Sequence, residues 1–225
     1  KNVKSSDISK SAEKIDLQGN IAIPGIVDMK AFVGEPGFEY KENFRTLSLA
    51  ALAGGVTSIV TMPNTKPVID NVSMVDFIIR RGRDKAKVNL FPCASITRQI
   101  EGNQMTEFGL LKARGIVGFS DVNKTIQNTE LMSRIMNYAS DLDVLIMQHA
   151  EDYELSKNSC INESEVSTRL GLQGVSDIAE KIIIERDLSL LGKFPCRYHI
   201  NQISSENSLN VIAKNKSNGI KFSTG

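Results

Sequence analysis

Val56-Thr57-Ser58-Ile59-Val60-Thr61-Met62-Pro63-Asn64 is the stretch that decides the fold. It is short, rich in β-branched residues, and ends on a proline and a polar amide. A run of this kind reads as a strand of a parallel sheet buried on both faces. Similar runs at residues 21–27, 88–96, 115–120, 144–147, 197–203 and 220–222 are predicted strands. Between them, residues 40–53, 73–85, 105–114, 128–141, 176–191 and 204–215 carry helical periodicity. Strands alternating with helices give an α/β class with a parallel sheet. Several strands end in polar residues: Asp28, Asn64, Asp121, His149 and Gln202. Polar residues gathered at strand C-termini point to the mouth of a TIM-like (β/α)8 barrel. A doubly wound open sheet gives the same alternation but usually opens on a glycine-rich phosphate loop, absent here. About seven of the eight strands that a closed barrel needs are visible. We therefore expect a longer protein, with the barrel incomplete in this chain.

Composition excludes several classes. The chain has 27 basic and 26 acidic residues, for a net charge of +1, and no basic stretch long enough for a phosphate-binding surface. Nucleic acid is not an expected partner. No apolar run approaches the roughly 18 residues of a membrane span, so no membrane is expected either. Residues 1–14 are polar and lack a signal-peptide core. Cys93, Cys160 and Cys196 are widely spaced, odd in number and in no CxxC arrangement. Reduced thiols in a cytoplasmic protein are expected.

The residues then carry a family resemblance. Ile23-Pro24-Gly25-Ile26-Val27-Asp28-Met29, followed by Glu35-Pro36-Gly37, is similar to the opening strand of type I dihydroorotases of the amidohydrolase superfamily. Gly54-Gly55-Val56-Thr57 leading to Met62-Pro63-Asn64-Thr65 resembles the family's second strand and substrate loop. Gly118-Phe119-Ser120-Asp121 resembles its fourth strand and His149-Ala150-Glu151-Asp152 its fifth. Arg169-Leu170-Gly171-Leu172 and Ala179-Glu180, within residues 165–187, match the segment before strand six, and Tyr198-His199-Ile200-Asn201-Gln202-Ile203-Ser204-Ser205 matches strand six itself. These motifs are colinear over roughly residues 15–215. Hydantoinases carry a lysine on the fourth strand. Asp121 stands there instead, which is the dihydroorotase pattern. The resemblance divides the chain into residues 1–20, a linker or part of a small β-rich appendage, and residues 21–225, an amidohydrolase-like barrel domain cut short at its C-terminal end.

The resemblance implies a hydrolase acting on cyclic amides, with divalent metal, usually zinc, polarising the amide and lowering the pKa of bound water. Its ligands would be a His-x-His pair on strand one, the strand-four aspartate, histidines on strands five and six, and an aspartate on strand eight. The His-x-His pair falls on Lys30-Ala31-Phe32, and the strand-six histidine on Gln202. A lysine must lose its proton to ligate, a phenyl ring has no lone pair, and an amide oxygen is a poor zinc ligand. Lys30, Phe32 and Gln202 are thus lost ligand positions, and Asp121 and His149 vestigial ones. The family's carboxylate-clamping arginine falls at Gly34, where no guanidinium fork is available. Asn64 remains as a substrate-binding position.

This pattern implies a pseudoenzyme: a dihydroorotase-like protein of pyrimidine biosynthesis with a degenerate zinc site, no cofactor and no catalytic residue. Its role would be assembly or regulation of aspartate carbamoyltransferase, or self-association. The alternative is an active dihydroorotase or related cyclic-amide hydrolase with an atypical zinc site, in which Asp121 would be catalytic. A third reading makes the pocket a small-molecule sensor. If no metal is bound, Lys30 should pair with Asp121, with Phe32 filling the space beside them, and His149 and Gln202 should bond to each other, to Asp121 or to water. Bland roles are expected elsewhere: His199 structural or supporting a ligand position without ligating, Glu35-Pro36-Gly37 a turn, Met132, Met136 and Met147 core filling, and Lys41, Glu42 and the Arg80–Arg83 cluster solvated.

Overall fold

The computed structural model describes residues 12, 13 and 15–225. The appendage expected for residues 1–20 falls mostly outside them. Seven strands form one parallel sheet in chain order: β1 (Ile26–Ala31), β2 (Val56–Thr61), β3 (Asn89–Ala94), β4 (Gly118–Phe119), β5 (Leu145–His149), β8 (Arg197–Asn201) and β9 (Ser223–Thr224). Each strand pairs only with its sequential neighbours in this order, so the sheet is a half-barrel. A doubly wound sheet would reverse its order at a switch point; this one never does. The remaining two strands, β6 (Ile161–Asn162) and β7 (Gly174–Val175), form a separate parallel pair.

Helices α1 (Phe44–Ala53), α2 (Val72–Lys85), α3 (Phe108–Ala113), α4 (Thr129–Leu142), α7 (Asp177–Lys193) and α8 (Glu206–Ser217) cover the outer face. Two short ones, α5 (Tyr153–Ser156) and α6 (Glu165–Leu170), flank β6. Asparagines at Asn43, Asn71 and Asn128 start α1, α2 and α4 by accepting bonds from free N–H groups of the first turn, which Asn does well at this position. The main core lies between sheet and helices, with Phe108 of α3 stacked on Phe119 of β4 at 3.9 Å. A smaller cluster, including Val60, Met62, Cys93 and Met147, covers the opposite face. Met132, Met136 and Met147 are core residues, as expected.

Three features differ from the sequence reading. The first strand begins at Ile26 instead of residue 21, because its hydrogen-bonding partner begins there: Ile26 pairs with Val56. Pro24 just before it has no N–H to offer a ladder. The last strand starts at Ser223 because Ile220 and Phe222 pack against the core before the chain turns to pair. The β6–β7 pair has only two residues per strand, too short to show a period.

No helix among the described residues is long and apolar enough to cross a membrane. The three cysteines are free.

Candidate functional site

The first strand carries a bulge that sets the site. Asp28 pairs with Ile59 and Ala31 with Thr61, so three steps on β1 oppose two on β2. The Asp28 carboxylate accepts the Lys30 backbone N–H at 2.9 Å and closes this irregularity. Bulges re-aim side chains. Here the Lys30 ammonium reaches across the sheet's C-terminal edge to donate to Asn123 Oδ1 at 2.9 Å and to Gln202 Oε1. Burial holds this ammonium below the usual lysine range, and among the described residues no carboxylate pairs with it.

The expected Lys30–Asp121 pair is therefore not formed. Asp121 is almost fully buried, and its oxygens accept from the Thr97 backbone N–H at 3.0 Å and from the Thr97 hydroxyl. Burial pushes its carboxyl up to about 6, while the Thr97 donors and Lys124 pull the other way. With its needs met locally, Asp121 requires no counter-ion from Lys30. His149 and Gln202 do not meet either. His149 Nε2 lies 3.2 Å from Glu151 Oε2, and Gln202 is taken by Lys30. Phe32 does not seal the mouth: it is 37% exposed, with its ring 6.2 Å from that of Phe38.

Gly34 adopts φ +72°, and a Cβ there would sit 2.7 Å from the Glu42 carbonyl oxygen and 2.8 Å from that of Phe38. The loop has closed around a residue without a side chain. Asn64 is half-buried, and its Oδ1 has no partner. Val122 and Gln202, which follow Asp121 and β8, both have left-handed φ, 63° and 56°. A β-branched residue there is strained, so strained backbone gathers at this edge of the sheet.

Sequence reasoning brought together Lys30 and Gln202, which do touch. It missed Asn123 and Thr97, whose only signal was proximity to Asp121 or to the end of β3. Arg81 is exposed, as expected of its cluster, but it also has a buried partner. Its guanidinium pairs with Glu35, which is buried in the turn and also caps α1 by accepting from Phe44 N at 3.0 Å. His199 is buried and bonded to Ser223 at 2.8 Å. Among the described residues, no three His, Cys, Asp or Glu side chains are grouped so that they could hold a metal ion.

A family model described as dihydro-orotase-like matches residues 19–208. This chain belongs to that family. Dihydroorotase from Syntrophus aciditrophicus is 41% identical over 214 residues, which cover 95% of this chain and 50% of that protein. Dihydroorotase from Ehrlichia chaffeensis is 42% identical over 210 residues, covering 93% of this chain and 46% of its own length. The dihydroorotase-like chain thus spans about half the length of the curated relatives it matches. Among solved structures, L-hydantoinase from Arthrobacter aurescens superposes with a TM-score of 0.78 at 18% identity, over 98% of this chain and 50% of that one. Saccharomyces cerevisiae dihydroorotase, in complex with 5-fluoroorotic acid, gives 0.64 at 15%, over 88% and 54%. At these identities the structures establish the shared barrel fold.

Proposed function

We propose that this dihydroorotase-like chain belongs to a cytoplasmic protein of pyrimidine biosynthesis that performs no turnover and acts as an assembly or regulatory partner of aspartate carbamoyltransferase. One observation carries the reading. Lys30 stands where a dihydroorotase would place a metal-binding histidine, and its ammonium is held by Asn123 and Gln202, the latter at another such position. This donor set does not fit a divalent ion. A protonated amine repels a cation, Phe32 offers no lone pair, and the Asp121 oxygens are already bonded to Thr97. For Lys30 itself to serve as a ligand would require deprotonation from a free pKa near 10.4. The substrate clamp is absent as well, since the backbone at Gly34 has no room for a Cβ.

A second reading, an active cyclic-amide hydrolase with an atypical zinc site, is favoured by the retention of Asp121 and His149 at the strand ends. Dihydroorotate hydrolysis by the full-length protein, with and without added zinc, separates the two. The proposal expects no enzyme-like rate in either condition, and co-purification of the transferase from the native source. Zinc-dependent turnover would establish the second reading.

A further inference from the structure

The chain between β5 and β8 makes an excursion that has no core of its own. Of residues 153–173, only Ser167 is buried. Its hydroxyl accepts from Ser164 N at 2.9 Å, in a capping box at the start of α6. At the other end Gly171 turns left-handed, with φ +64°, and Leu172 N donates to Ser167 O at 2.9 Å. The helix is thus shaped by its two ends. Six residues held by caps alone are marginal in water, so packing against a further surface is needed to fix them.

The excursion nevertheless turns large apolar side chains to solvent. Val166 and Leu170 lie one turn apart on α6, and Leu172 follows at the same end of that helix. Ile178 and Ile182 lie one turn apart on α7, and a bond from Asp152 N to Ala179 O at 3.0 Å brings Tyr153 to that turn. The β7 strand, just after Leu172, contacts α5 and so joins the two groups. All six side chains are in residues 43–61% exposed. The excursion leaves the sheet between β5 and β8, inside the free edges β1 and β9. An open sheet edge therefore does not account for this exposure.

Area and charge both bear on what covers the patch. The six residues expose on the order of 500 Å2, toward the upper end of the largest patch on a typical monomer. Each partner in a standard interface buries about 800 Å2, a little over half of it apolar. The patch supplies that apolar share. Its charges are mixed: Lys157 pairs with Glu154, Lys181 with Glu185 at 3.8 Å, and α6 carries both Glu165 and Arg169. A twofold interface lays a patch on its own copy. One sign of charge would then repel itself, whereas mixed signs can exchange partners across the axis.

We infer that this face, formed by α5, α6 and the first turns of α7, is the contact between two copies of the chain related by a twofold axis. The assignment stands whether or not the protein turns over substrate. Sedimentation of the full-length protein over a range of concentrations tests it, and a dimer is expected. Leu170→Arg and Ile178→Arg, one from each group, should each weaken that dimer about tenfold or more, because a charge then enters an apolar contact. Both side chains are exposed, so the circular dichroism of the fold should not change. Leu52→Arg, at a comparably exposed leucine on α1, should leave the dimer intact. A protein that is monomeric at every concentration would overturn the proposal, whether another part of the same protein or a transferase then covers the patch. A dimer that survives both substitutions, or that Leu52→Arg dissociates equally well, would overturn it too.

Discussion

Thr97 holds Asp121 twice, through its backbone N–H at 3.0 Å and through its hydroxyl. Both residues are buried, and the hydroxyl oxygen also accepts from Gly102 N at 2.9 Å. The carboxylate is therefore kept inside the protein by a neighbouring loop.

Thr97→Val keeps the shape and removes the hydroxyl. It strands a buried charge acceptor, and the expected loss is about 2–3 kcal/mol, typical of hydrogen bonds to charged groups. Asp121→Asn should cost much less, since an amide oxygen still accepts from Thr97 N and burial already disfavours the charge. Urea unfolding of the two variants gives the comparison. A Thr97→Val variant as stable as the parent would mean that Asp121 is held by something else.

Lys30 behaves differently from a paired lysine. Its partners, Asn123 and Gln202, are exposed amides that water can satisfy once the ammonium is gone. Lys30→Met should therefore change stability by no more than about 1 kcal/mol in either direction. A loss of 3 kcal/mol or more, the scale of a broken buried ion pair, would show that Lys30 neutralises a carboxylate after all.

Returning an arginine to position 34 should not rebuild a substrate clamp. The φ of +72° alone disfavours any side chain, and the Glu42 and Phe38 carbonyl oxygens occupy the Cβ position. Gly34→Arg is expected to destabilise by about 2 kcal/mol or more through backbone strain and displacement of the loop. An unchanged denaturation midpoint would show that the loop adapts freely.

Asp187 offers a pH test. It is fully buried, accepts from Tyr198 Oη at 2.6 Å and pairs with Arg186, and burial raises its carboxyl above the ordinary range. Above the unfolded value the folded protein then binds more protons than the unfolded chain, so this group makes stability fall as pH rises through the window between the two. The loss begins near pH 3.8, the ordinary value. Asp187→Asn should flatten that slope in unfolding curves taken from pH 4 upward. A variant with an equal or steeper slope would refute the assignment.

The sheet was legible because β2 is a short β-branched run and β3 and β5 open on short apolar ones, patterns that need no partner to be read. The start of β1 was not, because it depends on where Val56 offers a pairing partner. The fate of Lys30 was also hidden. Residue identity indicated a lost imidazole, but the bulge at Asp28, which decides where the side chain goes, has no sequence period. Arg81 looked like surface because a helical arginine gives no sign that a buried Glu35 lies opposite. Gly34 showed only that an arginine was missing; the carbonyls that now exclude one became visible in three dimensions.

The central claim is that the barrel mouth holds an ammonium where a dihydroorotase would hold its metal. Elemental analysis of the full-length protein, purified with zinc in the growth medium and washed with a mild chelator, tests it most directly. Substoichiometric zinc, with no gain on adding more, is the predicted result. One or more zinc ions retained per chain would contradict it.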